Sequence, residues 1–368
     1  MITQTYHITL PSEILEAENI PAEDCLFFDI ETTGLSWRQS HLYLLGIVLF
    51  ENDQWIMKQW FCQKPSEEKE VLIIFSELLN AHKYLIHFNG ATFDVPYLMH
   101  KYTFYQLEQS WEHLEQIDLY RRMLPFKNCM GLTHMRQKDL EVYLGIHRKD
   151  TFTGGELIDF YQEYLKSGDE ELLAMLLLHN KEDVEGMTAL LSLLTIPRIF
   201  AGDFDHSLIC IRYISDNTNI QKQMNILEMT FPFALPCSLH HESEYFQLSA
   251  AAGLITVSVP LQYGTRKYFF PNYKDYYYLP LEDQAIHKSV GTYVDKEHRE
   301  KAKASNCYQK KEGVFLPQFA PIFTPAFQRD YKDPVLWFVA EESLIHDKEK
   351  MATYMIHLMG NTIKRDRM

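Results

Sequence analysis

Two carboxylates sit two residues apart inside the apolar run Phe27-Phe28-Asp29-Ile30-Glu31-Thr32-Thr33-Gly34-Leu35. In a β-strand, residues i and i+2 face the same side. Asp29 and Glu31 therefore aim together, while Phe28 and Ile30 point to the opposite, buried side. Like charges on one face of a core strand repel, and burying them is costly unless a cation lies between them. The plain alternative is a strand end with two solvated acids. The Thr-Thr-Gly-Leu turn that follows, and the acids further along the chain, favour the cation.

A third acid, Asp94, lies in Phe88-Asn89-Gly90-Ala91-Thr92-Phe93-Asp94-Val95-Pro96-Tyr97-Leu98. Here a short strand runs into a loop and a helix starts near Pro96. An acid at that place can cap the helix. Beside Asp29 and Glu31 it is also the third carboxylate that a divalent-ion site at the end of a strand requires. The run Leu178-His179-Asn180-Lys181-Glu182-Asp183-Val184 places His179 and Asp183 four residues apart, on one helical face. They read as a polar interruption of the helix or as a base and a metal ligand beside one scissile bond. Glu182 and Glu185 fall on other faces and are expected to be solvated.

The elements that must position these residues follow from periodicity. Strands are expected over Cys25 to Ile30, Tyr43 to Phe50 and Trp55 to Phe61, the last two joined as a hairpin by Glu51-Asn52-Asp53. Ser66 is expected to cap a helix whose face carries Val71, Phe75, Leu78 and Leu79. Tyr84 to Phe88 and Ile117 to Tyr120 read as further strands, and Pro96 to Tyr105 and Gln137 to Leu144 as helices. The longest helix spans Glu170 to Leu194, with an apolar stripe through Leu173, Leu177, Val184, Leu191 and Leu194, and Pro197 is expected to end it. This order implies an α/β class and a ribonuclease-H-like mixed sheet flanked by helices over residues 20–200. Residues 205–368 change character. Ile255, Val257, Val259 and Leu261 alternate, aromatics crowd 263–278, and helices are expected at Asp295 to Ala304 and His346 to Met359. This is a β-rich C-terminal region of α+β type whose role the residues do not indicate.

Asp29-x-Glu31, the Asn89 to Leu98 motif with Asp94, and His179 with Asp183 together resemble the DEDD superfamily of 3′-5′ exonucleases, in particular its YprB-like group of ribonuclease-H-like domains. The Asp94 motif is also similar to the second exonuclease motif of family B DNA polymerases. The resemblance covers about residues 24–195. It implies hydrolysis of phosphodiester bonds at single-stranded ends of DNA or RNA, with two divalent cations, Mg2+ or Mn2+, held by Asp29, Glu31, Asp94 and Asp183. It makes His179 the residue that orients or deprotonates the attacking water, and it puts Asn89, Thr33 and Leu35 against the terminal nucleotide. In the superfamily a histidine base usually stands five residues before the last aspartate, and tyrosine goes with the four-residue spacing found here. One residue is about 100° of helical rotation. The alternatives are an inactive nucleic-acid-binding module of the same fold and a structure-specific endonuclease.

Asp118, in Ile117-Asp118-Leu119-Tyr120, reads as a buried acid that is structural or supports the site from behind, and it stays outside the ligand set. The turn and core alternatives stay open for Thr33 and Leu35. The net charge of -15 argues against a protein that coats nucleic acid tightly and nonspecifically. Residues 264–311 run against that balance, with ten Lys or Arg against six acids. Tyr268, Phe270 and Tyr273 interleave with Arg266, Lys267, Lys274 and Lys288, as in a single-strand platform, or as in an aromatic hairpin core. No basic-apolar leader is visible at Met1-Ile2-Thr3, the apolar runs are short, and the six cysteines are scattered. The expectation is a cytoplasmic protein with free thiols and no membrane partner.

Overall fold

A computed structural model describes residues 1–216 and 224–363 of the 368-residue chain. Its contacts divide into two compact units, Met1–Pro197 and Arg198–Met368.

The first unit contains β1 (Ile2–Ile8), α1 (Glu13–Ala17), β2 (Cys25–Thr32), β3 (Leu42–Glu51), β4 (Gln54–Phe61), α2 (Glu68–Ala81), β5 (Tyr84–His87), α3 (Asp94–Phe104), β6 (Glu115–Asp118), α4 (Leu119–Met123), α5 (Gln137–Tyr143), α6 (Gly154–Ser167) and α7 (Glu170–Ala189). The sheet order is β1-β4-β3-β2-β5-β6. β3 pairs antiparallel to β2 and to β4, while β5 runs parallel to β2 and to β6. This is the mixed, helix-flanked sheet expected from the order of elements. The β3–β4 hairpin closes through Asn52 and Asp53, both left-handed at φ 53° and 60°, as a two-residue turn between right-twisted strands demands.

The two faces of β2 have separate duties. Leu26, Phe28 and Ile30 are buried against α2 and α3, in a cluster with Phe75, Leu79 and Leu98. The opposite face, which carries Asp29 and Glu31, looks toward α6 and α7, whose Leu157, Tyr161 and Leu176 pack with Tyr43 and Phe61 of the sheet. The β2–β3 loop is fixed from below. Lys101 and Glu68, 2% and 0% exposed, pair at 2.8 Å. Lys101 also donates to the Ser40 carbonyl at 2.6 Å, and Glu68 accepts from the Leu42 N–H at 2.8 Å and the Tyr105 hydroxyl at 2.7 Å.

Several elements differ from the sequence expectation. Ser66 caps nothing: it lies in a 3-10 turn (Pro65–Glu67), and Glu68, at the start of α2, is the buried acid just described. β1 and α6 are not among the expected elements; β1 alternates half-buried and exposed residues and borders β4 as an edge strand, and α6 buries Leu157, Tyr161 and Tyr164 on one face. Pro197 does not end the long helix. The chain tightens to 3-10 at Leu190–Leu194, and Pro197 falls in the first turn of α8 (Thr195–Ala201), where its missing N–H has no partner to lose. The run Glu170–Ala201 is long enough for a membrane span and holds an 18-residue stretch of mean hydropathy 1.4, yet 61% of that stretch is buried inside the protein, as in a core helix.

The second unit contains β7 (Cys210–Asp216), β8 (Met224–Pro232), β9 (Leu239–Glu242), β10 (Gln247–Ala251), β11 (Leu254–Pro260), β12 (Gln262–Phe269), β13 (Tyr276–Leu279), β14 (Gln284–His287), α9 (Lys288–Gly291), β15 (Glu300–Lys301), β16 (Tyr308–Gln318), β17 (Leu336–Val339), α10 (Glu342–Ile345) and α11 (Lys348–Thr362). Three sheets form, in the orders β7-β8-β11-β10-β9, β12-β16-β17 and β14-β13-β15. The alternation at Ser249 to Leu261 is a hairpin, β10–β11. The expected helix at Asp295 to Ala304 is absent. Lys296–His298 is one 3-10 turn, and Glu300 and Lys301 pair with β13 instead. None of the six cysteines forms a disulfide.

Removing the cation from the Lys101–Glu68 pair leaves a carboxylate buried. Lys101→Met is therefore expected to lower the unfolding free energy by about 3–5 kcal/mol, measured by urea denaturation. A loss under about 1 kcal/mol would show that the other donors to Glu68 carry it.

Candidate active site

Asp29, Gly46 and Gln59 are direct neighbours across β2, β3 and β4. A Cβ at Gly46 would collide with Asn180 Oδ1 and stand 2.9 Å from Val184 Cγ2. Glycine here lets α7 approach the sheet. Asn180 fills the gap: its Nδ2 donates to Asp29 Oδ2 at 2.9 Å, and its Oδ1 accepts from Gln59 Nε2 at 2.8 Å. Gln59 also donates to the Leu177 carbonyl at 3.0 Å. The amide of Asn180 thus has one orientation, with its N–H aimed at the acid.

On the same helix His179 is held at both ring nitrogens. Nδ1 lies 2.7 Å from Asp150 Oδ2, and because an ionised carboxylate only accepts, Nδ1 carries a proton. Nε2 lies 3.0 Å from Asp183 Oδ2 and 3.5 Å from Glu31 Oε1. Asp150 is fixed in turn by Lys138 Nζ at 3.0 Å. Glu182, expected to be solvated, accepts from the backbone N–H groups of Lys149 and Asp150 at 3.0 and 2.8 Å, and so holds the segment that carries Asp150. Asp183 Oδ1 is taken by Arg148, whose guanidinium also pairs with the buried Glu141. Glu141 fits because Gly186 of α7 has no side chain, and a Cβ there would strike it.

Asp94 stands on another element. It is the first residue of α3, and no side chain caps that helix, so the capping alternative is not realised. Gly90 keeps the space beside it open: a Cβ there would lie 3.1 Å from Asp94 Oδ2. Asn89 adopts φ 58° and donates its N–H to Asp118 Oδ1 at 2.9 Å. Asp118 also caps α4 through the Arg121 N–H. The Thr33 hydroxyl accepts from the His41 N–H at 2.9 Å and closes the β2–β3 loop. Leu35 is 85% exposed, which removes the core alternative for it.

Ligand atoms of Glu31, His179 and Asp183 all lie within 4.8 Å of one another, a spacing that could hold one cation. Asp29 and Asp94 stand outside that trio but inside its field. Burial, then the charges of Asp183, Glu31 and Asp94, hold the Asp29 carboxyl well above its usual range, against an opposing pull from His179. Burial, then Asp183, Asp94 and Asp150, do the same to Glu31. Burial foremost, with Asp118 and Asp183, pushes Asp94 up to about 7, although a backbone hydrogen bond opposes it. Asp183 goes the other way: burial works against it, but His179 and Arg148 keep it ionised. His179 is raised because Asp183 and Asp150 outweigh its burial. Carboxylates that cannot all ionise without a further cation suit a divalent ion, and the oxygen-rich set fits Mg2+ or Mn2+.

The fold and this site define a ribonuclease-H-like domain. The RNase H superfamily model matches residues 26–195. The chain is 27% identical over 184 residues to the uncharacterized protein YprB of Bacillus subtilis (strain 168), a match covering 49% of this chain and 44% of YprB. Residues 26–195 are thus a YprB-like domain of the RNase H superfamily. The matched segment spans less than half of that relative's length. Among solved structures, the chain is similar to a family B DNA polymerase of the archaeon Pyrobaculum calidifontis, with a TM-score of 0.38, 15% identity, and coverage of 49% of this chain and 26% of the polymerase. It is also similar to E. coli exonuclease I in complex with a dT13 oligonucleotide, with a TM-score of 0.30, 11% identity, and coverage of 61% and 54%.

The raised carboxyls predict a pH dependence. A carboxyl whose folded pKa exceeds its unfolded one stabilises the fold while protonated. For Asp94 that stabilisation is complete below the unfolded value of 3.8 and is lost as pH rises through about 7. The melting temperature of metal-free protein is therefore expected to fall between these limits, and Asp94→Asn should flatten the fall. Superimposable profiles for the two proteins would contradict the assignment.

Proposed function

We propose that this chain is a metal-dependent 3′-5′ exonuclease that hydrolyses phosphodiester bonds at single-stranded ends of DNA or RNA. The observation that carries the reading is the convergence of Asp29, Glu31, Asp94 and Asp183, from three separate elements, on one electrostatically frustrated site beside a doubly anchored His179. Asp29, Glu31 and Asp183 would hold divalent cations and Asp94 would complete the set. Bound there, the ions would supply an acidified water and charge stabilisation for the leaving 3′ oxygen.

The remaining work belongs to the chain. Asp150 accepts the hydrogen bond from Nδ1–H of His179, and Nε2 faces Asp183 and Glu31; Nε2 would be freed to accept a proton from water once the Asp183 carboxylate, to which it donates in the absence of metal, is taken up by bound cations. Arg148 and Asn180 fix Asp183 and Asp29 in place, so that the acids are ordered before substrate arrives. Asn89, on its left-handed turn, and Thr33 and Leu35, on the β2–β3 loop, are the groups assigned to the terminal nucleotide.

Asp29→Ala or Asp183→Ala is expected to abolish Mn2+-dependent nucleotide release from a 3′-labelled oligonucleotide, with a circular single strand left intact by the native protein. Full activity in either variant, or cleavage of the circle, would refute the reading. Asp150→Asn keeps the shape but loses the carboxylate acceptor. It is expected to lower kcat by about 10²- to 10⁴-fold with little change in KM, measured on the same substrate. An unchanged kcat would remove His179 from proton transfer.

A further inference from the structure

The basic residues that stand out in the sequence of the second unit are mostly occupied. Lys267 pairs with Asp330 at 2.8 Å and Lys310 with Asp283 at 3.1 Å, while Lys288 donates to the Lys274 carbonyl. Tyr268, Phe270, Tyr273 and Tyr276 are half-buried against the local cores. What remains is one face of β12-β16-β17. Strand register places Gln262, Gly264, Arg266 and Tyr268 opposite Phe315, Gly313, Lys311 and Gln309.

Three features of that face are unexplained by folding. First, Arg266 and Lys311 are direct cross-strand neighbours, a like-charge pair that disfavours the pairing of their strands. Second, Arg266 is 8% exposed and, among the described residues, has no carboxylate within ion-pair distance. Its Nη1 donates to the Thr265 carbonyl, its Nη2 to Gln262 Oε1, and its Nε is buried without a partner. Third, a second guanidinium is brought beside it. Arg329 donates to the same Gln262 oxygen at 2.8 Å, and the two guanidinium carbons lie 4.7 and 4.8 Å from the ring of buried Trp337. Burial and Arg329 both work against the Arg266 charge, and Asp333 offsets them only at a distance. Gly264 makes room for the stack, since a Cβ there would lie 3.3 Å from Arg266 Nη1.

A cleft of about 810 Å³ opens alongside, lined by Tyr268, Phe270, Phe323 and Phe327 together with Lys310, Lys311 and Lys350 and one acid, Glu341. Lys310 and Lys350 are paired with Asp283 and Asp347, so among the described residues the charge left over beside the cleft is that of Lys311, Arg329 and Arg266, and cations next to aromatic walls match a phosphate joined to a flat apolar group. We propose that this face is a binding platform for single-stranded nucleic acid, on which Arg329 and Lys311 contact phosphate, Arg266 supplies the buried charge beneath them, and the aromatic cleft takes a base. The platform rests on the exonuclease reading for the identity of its strand.

The test uses the full chain in EDTA and follows the anisotropy of a fluorescein-labelled oligothymidylate and a matched oligouridylate across a salt series. Lys311→Glu combined with Arg329→Glu changes two exposed side chains. Affinity is expected to fall at least about tenfold and the salt slope to shrink by about 1.4, about 0.7 for each phosphate contact. Lys274→Glu and Lys288→Glu serve as charge controls and should change little. The single Lys311→Glu turns a repulsive pair into an attractive one, so its melting temperature should hold or rise while its affinity falls. No affinity in the native protein, native affinity and slope in the double variant, or equal losses in the controls would each overturn the platform. Mn2+-dependent nucleotide release, measured on the same samples, separates the two readings. A native protein that binds but releases nothing defeats the exonuclease reading and leaves the platform standing. One that releases nucleotide, and whose double variant binds unchanged, defeats the platform alone.

Discussion

The site depends on one missing side chain. At Gly46 the middle of β3 offers no Cβ, and α7 uses the vacancy to lay Asn180 between Asp29 and Gln59. Any larger residue would push the helix outward by a distance its neighbours could not follow, because packed interiors transmit strain rather than absorb it. Gly186 repeats the device on another side of the same helix, where it admits Glu141 and through it Arg148. Between the two glycines α7 is located well enough for His179 and Asp183 to meet the acids of β2.

That docking has an electrostatic cost, and the chain meets it unevenly. Asp183 is satisfied by Arg148 and His179, and Asp150 by Lys138 and His179. Asp29 has only the neutral amide of Asn180, and Asp94 lacks any cation among the described residues. The imbalance follows from geometry. Arg148 and His179 reach the acid of α7, and His179 also comes within 3.5 Å of Glu31, whereas among the described residues Asp29 and Asp94 have no basic side chain within ion-pair distance. A buried, mutually repulsive set of acids costs stability unless a further cation neutralises it, which is what a divalent ion at this site would do.

Much of this was legible in the sequence. The alternation around Asp29 and Glu31 located β2 and its two faces, and the order of strands and helices located the sheet. What stayed hidden were partners distant in sequence. Asp150 and Arg148 lie in a segment without periodicity, Glu141 sits in a short helix, and Gln59 in a strand that read as plain β. Asn180 was in view beside His179, but only the absence of a side chain at Gly46 gives it a purpose, and pairing a helix residue with a strand glycine requires the tertiary register. Lys101 and Glu68 were similarly opaque: each looks like a surface charge on an amphipathic helix, and only their mutual burial shows otherwise. In the second unit the expected helix at Asp295 to Ala304 failed because its charge-rich sequence has no apolar stripe to bury, so pairing of Glu300 and Lys301 with β13 prevails.

The four-residue spacing between His179 and Asp183 also acquires a physical meaning. An i, i+4 pair stacks one side chain above the other along the helix, and here it brings Nε2 to 3.0 Å from Asp183 Oδ2. A five-residue spacing would turn the ring by about 100° relative to the aspartate, away from this contact. The compact arrangement needs something else to orient the imidazole from behind, since the helix no longer swings it past the acid. Asp150 at Nδ1, braced by Lys138 and by the Glu182 carboxylate on its backbone, does that. The short spacing and the Asp150 brace are therefore one design: without the brace the ring would be free to rotate against Asp183, and without the spacing the brace would hold the ring away from the acids.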